Sequence, residues 1–165
     1  MTTDRVVTFD VCGVPQPKGS ARSFVPKAWA EAAVAAGRSP RAVVTSANPK
    51  LKEWQTAVAQ AAQPFAVEGL FVGPVAVALV FRLQRPKSAP RRVVHHVTKP
   101  DVDKLARACL DGLKGVLYRD DANVVTLRAR KVFAIESAAL GVEITVGAAA
   151  PPEYAQGSLT LFEEP

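Results

Sequence analysis

The stretch Lys99-Pro-Asp-Val-Asp-Lys-Leu-Ala-Arg-Ala-Cys-Leu-Asp-Gly-Leu-Lys-Gly-Val-Leu-Tyr-Arg-Asp-Asp121 holds one helix and the turn that ends it. Val102, Leu105, Ala106, Cys109 and Leu113 recur at helical spacing, and Asp103, Arg107, Asp111 and Lys114 take the other side. Gly115 terminates the helix. Asp101 and Asp103 enter this helix and Asp121 follows the return turn, so the three carboxylates are expected to meet at one end. Like charges brought together repel unless a cation lies between them. A hard divalent ion such as Mg²⁺ suits that role, because it takes oxygen ligands and keeps positions open for water and phosphate. Each acidic pair alone is more often structural than catalytic. Acids at a helix start face the positive end of its dipole, and Asp120-Asp121 suits a turn.

On the N-terminal side, Pro74 opens a β-rich run from Val75 to Leu83. Asn48 before Pro49 reads as an N-cap with proline at the first helical position, which predicts a helix to about Gln63. Leu51, Trp54, Val58 and Ala61 form its apolar stripe, which places Trp54 in the core. Arg5 to Val11 reads as a strand, Gly13 to Arg22 as a loop set by proline and glycine, and residues 23–47 as irregular with a short alanine-rich helix near Ala28 to Ala36. On the C-terminal side, Asn123 to Phe133 and Leu140 to Val146 read as a closing antiparallel pair. The expectation is an α/β fold: one domain over residues 1–147, with a mixed β-sheet and two main helices. Residues 148–165 turn to Ala, Pro, Glu and Gly and read as a flexible tail.

The chain has 165 residues, 48% of them apolar, enough for a core without help from cross-links. Cys12 and Cys109 allow at most one disulfide, and Cys109 on the apolar helix face reads as a buried free thiol. With no leader-like or membrane-spanning run, a cytoplasmic location is expected. Charge is unevenly spread. Residues 1–100 carry 14 Lys or Arg and 5 acids, whereas residues 101–165 carry 7 and 10. Gly69 to Pro100 contains no acid but has Arg82, Arg85, Lys87, Arg91, Arg92 and Lys99. Cations thus lead directly up to the aspartates, an arrangement suited to a polyanion that is both held and cut. The adjacent His95 and His96 would diverge on an extended segment, which assigns them to DNA or solvent.

The run Lys99-Pro-Asp-Val-Asp-Lys-Leu, Leu-Asp-Gly-Leu and Tyr-Arg-Asp-Asp-Ala-Asn-Val-Val resembles the RusA family of Holliday junction resolvases, and Gly13-Val-Pro-Gln-Pro-Lys-Gly-Ser-Ala-Arg22 is similar to that family's N-terminal loop. The resemblance implies a homodimeric, Mg²⁺-dependent endonuclease, with Mn²⁺ able to substitute, that nicks a four-way DNA junction symmetrically in recombination or repair. By position, Asp101, Asp103 and Asp121 match the catalytic metal ligands. Asp120 is the weaker choice, since neighbours on an extended segment point to opposite faces. Arg107 falls where the family has a functional lysine, and Lys104 replaces a common asparagine. Arginine does not readily give up a proton, so Arg107 is expected to hold the scissile phosphate or its developing charge. Its structural alternative is an ion pair with Asp103 one turn away. Lys18, Arg22, Arg85, Lys87, Arg91, Arg92 and Lys99 are expected on DNA phosphates, which fix position without reading bases. Two alternatives stay open: a nuclease for flaps, forks or other branched DNA, and a DNA-binding protein that does not cut.

In the tail, Gln156, Leu159, Leu161 and Phe162 make a pattern similar to the short peptides with which bacterial replication proteins dock into the sliding clamp. A spacer followed by glutamine and spaced apolar side chains is a sensible groove ligand. The alternative is that these side chains fold back on their own chain or a partner subunit.

Overall fold

β4 (Val75–Leu83) sits inside the sheet and alternates buried and half-buried residues along its whole length. Val75, Val77, Leu79, Phe81 and Leu83 face the helices, and each such side chain fully withdrawn from water stabilises the fold by roughly 1.5–3 kcal/mol. The computed structural model describes residues 5–90, 92–135 and 139–150, without the side chains of residues 21, 22 and 44–46. Around β4 the other elements are β1 (Val6–Cys12), β2 (Ala21–Phe24), α1 (Lys27–Ala35), β3 (Val43–Ser46), α2 (Leu51–Ala62), α3 (Val102–Leu113), β5 (Val124–Phe133) and β6 (Gly141–Ala148), with 3₁₀ turns at Gln63–Glu68 and Asp121–Asn123.

The main sheet runs β1-β6-β4-β5, and β2 and β3 form a separate antiparallel pair. β5 is parallel to β4, and β6 is antiparallel to both β4 and β1. The sheet is therefore mixed, as expected, but β5 and β6 are not partners; they flank β4. Arg128, Arg130 and Lys131 suit β5 to an edge, whereas β6 carries only Glu143 and buries Val142, Ile144 and Val146. The parallel pairing needs a long crossover, and the segment holding α3 supplies it.

α2 and α3 pack together over one face of the sheet and bury Leu51, Trp54 and Val58 against Leu105, Cys109 and Leu113. Gly112 permits their close approach, because a Cβ there would lie 2.9 Å from the Gln55 carbonyl oxygen and 3.0 Å from Val58. Cys109 is a buried free thiol, and that burial pushes its pKa up to about 12. The α2 start differs from expectation by two residues. Asn48 Oδ1 accepts from the Lys50 N–H at 3.1 Å, making a turn ahead of the helix rather than its cap. The alanine-rich helix is present as α1, and the β2–β3 pair around it lies where irregular chain was expected. No described helix is long and apolar enough to cross a membrane.

Candidate active site

α3 carries the charged face, and polar contacts fix both its ends. Asp101 occupies the N-cap position in extended conformation, yet its side chain caps no N–H and instead meets Lys104 Nζ at 2.9 Å. That ammonium holds the Asp101 carboxyl below the usual carboxylate range, with Lys99 and Lys131 adding to the effect. Lys131 Nζ donates to the Thr98 and Pro100 carbonyls at 2.8 and 2.9 Å and so pins the chain entering the helix to β5. The Lys18 N–H donates to the Lys104 carbonyl at 2.9 Å, which brings the N-terminal loop alongside. Between them lies a groove of about 390 Å³ bordered by Gln16, Pro17, Lys99, Asp101 and Lys104.

At the other end, Gly115 takes a φ of +76°, and its N–H donates to the Tyr118 carbonyl at 2.7 Å. The buried Tyr118 hydroxyl donates to the Leu110 carbonyl at 3.1 Å, locking the return turn against the helix. Burial, and then Asp121 nearby, push the Tyr118 pKa upward. Asp120 caps the following 3₁₀ turn: its Oδ1 accepts from the Ala122 N–H, while Asn123 Oδ1 accepts from the Asp120 N–H, both at 3.1 Å. Its other oxygen meets Lys114 Nζ at 2.6 Å, and that contact lowers the Asp120 pKa. Asp120 is thus occupied with structure.

Asp121 is not. It is half-buried, and its Oδ1 is shielded from solvent with no hydrogen-bond partner. Burial raises its pKa, the Asp111 and Asp120 carboxylates raise it further, and Lys114 and Lys18 oppose them. Asp111 in turn meets Lys18 Nζ at 2.7 Å and Gln55 Nε2 at 3.1 Å.

This geometry corrects the expected convergence. Asp121 stands beside Asp111, whereas Asp101 lies about 15 Å from Asp111 along the helix axis, ten residues at 1.5 Å each. Among the described residues no three Asp, Glu, His or Cys side chains are grouped to hold one metal ion. The return turn docks on the C-terminal half of α3, not on its start. The donor chemistry at Asp121 still fits a hard cation, since an orphaned carboxylate oxygen lies within electrostatic range of a second carboxylate. The grouping of all three aspartates does not.

The cations divide likewise. Arg107 is exposed on α3 and has no ion-pair partner among the described residues; the pair with Asp103 is not formed. Lys87, Arg92 and Lys99 are exposed. Arg85 is engaged elsewhere: it donates to the Pro90 and Val93 carbonyls at 2.6 and 2.9 Å and lies over the Phe133 ring. It braces the basic loop. Arg82 pairs with Asp10 at 2.5 Å. His96 is buried against Phe133, contrary to its expected contact with DNA or solvent, and His95 is exposed. Arg91, the Arg22 side chain and the tail residues Gln156, Leu159, Leu161 and Phe162 lie outside the described residues.

The family described as Endodeoxyribonuclease RusA matches residues 23–146, which spans β2 to β6 and holds Asp101, Asp103, Arg107 and Asp121. The chain belongs to the RusA family. It is also 30% identical over 97 residues to Uncharacterized protein YqaN of Bacillus subtilis (strain 168), covering 53% of this chain and 68% of that protein. The RusA match begins beyond the Gly13–Arg22 loop, so Lys18 falls outside it. Asp111 and Lys114, which neighbour Asp121 here, already stood on the polar face of α3 in the sequence. What sequence spacing did not reveal was the long-range approach of Lys18.

Proposed function

We propose that this RusA-family chain is a Mg²⁺-dependent endonuclease that nicks four-way DNA junctions as a homodimer, with Mn²⁺ able to substitute. The observation that carries the metal reading is the orphaned Oδ1 of Asp121, which is shielded from solvent and accepts no hydrogen bond. Asp121 would hold the ion with Asp111 facing it. The ligand roles that the family resemblance implies for Asp101 and Asp103 would serve a separate ion at the start of α3, because one ion does not reach both ends of the helix. When bound, such an ion lowers the pKa of its water and neutralises phosphate charge.

The protein's own share is positioning. Arg107 offers a planar, permanently charged donor fork for a phosphate midway along α3. Lys87, Arg92 and Lys99 extend the cationic track toward Asp101. Paired cuts across a junction suit two equivalent sites on one twofold body. A second reading, a protein that binds DNA without cutting, draws on the lysines that already neutralise Asp101, Asp111 and Asp120.

Incubating the protein with a synthetic four-way junction, a flap and a plain duplex, each with Mg²⁺ and with chelator, separates these readings. The proposal expects paired nicks in the junction, lost with chelator. Equal cutting of the flap would broaden the substrate to branched DNA, and intact DNA throughout would favour the non-cutting reading. Residues 156–165 are proposed to dock on a sliding clamp. Deleting them should abolish co-elution with the clamp, and unchanged co-elution would remove the idea.

A further inference from the structure

None of the residues of α1 is buried, and Trp29 is 60% exposed. The form of the helix follows from its C-terminus. Gly37, at a φ of +64°, lets its own N–H donate to the Val34 carbonyl and the Arg38 N–H to the Ala33 carbonyl, at 3.0 and 2.9 Å. This double closure turns the chain back along the helix it has just left. The returning segment Arg38–Arg41 therefore faces Trp29, Ala32 and Ala33, which share one side of α1 by their spacing. Between the two lies a groove of about 800 Å³, within the usual range of small-ligand sites of roughly 300–1,000 Å³.

The chemistry of this groove is specific. One indole and two alanines form an apolar wall, and Arg38 and Arg41 stand at its rim, exposed and without an ion-pair partner among the described residues. The only acid of the β2–α1–β3 excursion, Glu31, is 4.0 Å from Lys27. An apolar peptide seated here would strip water from two guanidiniums and return no counter-charge. A second copy of the same cationic excursion would meet it with like charge. A nucleotide satisfies both parts: its base offers a flat face to the indole, and its flanking phosphates take the arginines. The base must be unpaired, because bases inside a duplex already stack on their neighbours.

We propose that Trp29, Arg38 and Arg41 form a binding pocket for an unpaired base next to the branch point of DNA, separate from the carboxylates on α3. The identification of the polyanion as DNA rests on the proposed nuclease function; the pocket itself does not.

The test is equilibrium binding in chelator, where nothing is cut, using a four-way junction and a single-stranded oligothymidine as probes. Trp29→Ala should weaken oligothymidine binding about 5- to 150-fold, the range expected for losing one stacked base, while Trp29→Phe retains most of it. The double variant Arg38→Ala with Arg41→Ala should lower the slope of log affinity against log salt by about 1.5 on the single strand. Oligothymidine should quench the tryptophan fluorescence of the wild type and leave that of Trp29→Phe unchanged, since Trp54 is buried. Unaltered binding by Trp29→Ala overturns the pocket. So does a fall in solution mass for that variant, which would make the groove an interface between copies. Should the nuclease reading alone fail, the wild type leaves junctions intact with Mg²⁺ while these binding differences persist.

Discussion

Asp121→Asn should make the protein more stable and inactive at once. The side chain keeps its shape but loses its charge, and with it the repulsion from Asp111 and Asp120. It also gains an amide nitrogen that can donate to the neighbouring Asp111 carboxylate, in place of an oxygen that has no partner. An unsatisfied buried polar atom costs about 1–3 kcal/mol, and for a half-buried group the low end applies, about 1 kcal/mol. For a chain of this size that corresponds to a rise in Tm of about 2–4 °C. The gain depends on pH in a definite direction. The folded carboxyl has its pKa raised above 3.8, so the folded state binds the proton more tightly than the unfolded state does. The wild type therefore loses stability as pH rises from near 3.8 through the raised value, and the variant does not. The gap in Tm should be present at pH 7 and close toward pH 4. Thermal unfolding of both proteins across that range, with junction cleavage measured alongside, is the assay. Equal or lower Tm for the variant at pH 7, or a gap that widens on acidification, would refute the reasoning.

The other predictions concern packing and the basic loop. Gly112→Ala should destabilise the fold by about 1–3 kcal/mol in urea unfolding, because the new methyl meets backbone oxygen and Val58 on α2 and neither helix can yield freely. A neutral result would mean that the α2–α3 contact is looser than described. Lys87→Ala and Arg92→Ala should each reduce the salt slope of duplex binding by about 1. Arg85→Ala should leave that slope unchanged while speeding hydrogen exchange in residues 86–99, because its guanidinium is bound to Pro90, Val93 and Phe133. A drop in slope for Arg85→Ala equal to the other two would show that it contacts phosphate after all.

Local patterns were legible in the sequence, and partners were not. α2, α3 and β4 follow directly from the spacing of Leu51, Trp54 and Val58, of Leu105, Cys109 and Leu113, and of Val75 to Leu83. The four-residue strands β2 and β3 are too short to show alternation, and only their pairing makes them strands. β5 and β6 were recognisable as strands, but periodicity is silent on which strand each one joins. The three cations on β5 were the available sign that it belongs at an edge. At the site, the divergence of neighbours on an extended segment favours Asp121 over Asp120. The structure separates the two differently, by making Asp120 a cap and a lysine partner within a 3₁₀ turn. The expected meeting of Asp121 with Asp101 and Asp103 assumed that the return turn ran back to the helix start. Tyr118, clasping the Leu110 carbonyl, holds it at the far end instead. His96 looked like a surface residue because Phe133, which covers it, is distant in the chain.

The central claim is that carboxylates on α3 and its return turn serve a metal ion in cutting DNA. Single-turnover cleavage of a four-way junction by wild type and by Asp103→Asn, with and without Mg²⁺, tests it most directly. Mg²⁺-dependent nicking by the wild type is expected, and none by the variant even where it binds the junction as tightly or more tightly. Full-rate cutting by Asp103→Asn, or cutting by the wild type that persists in chelator, would contradict it.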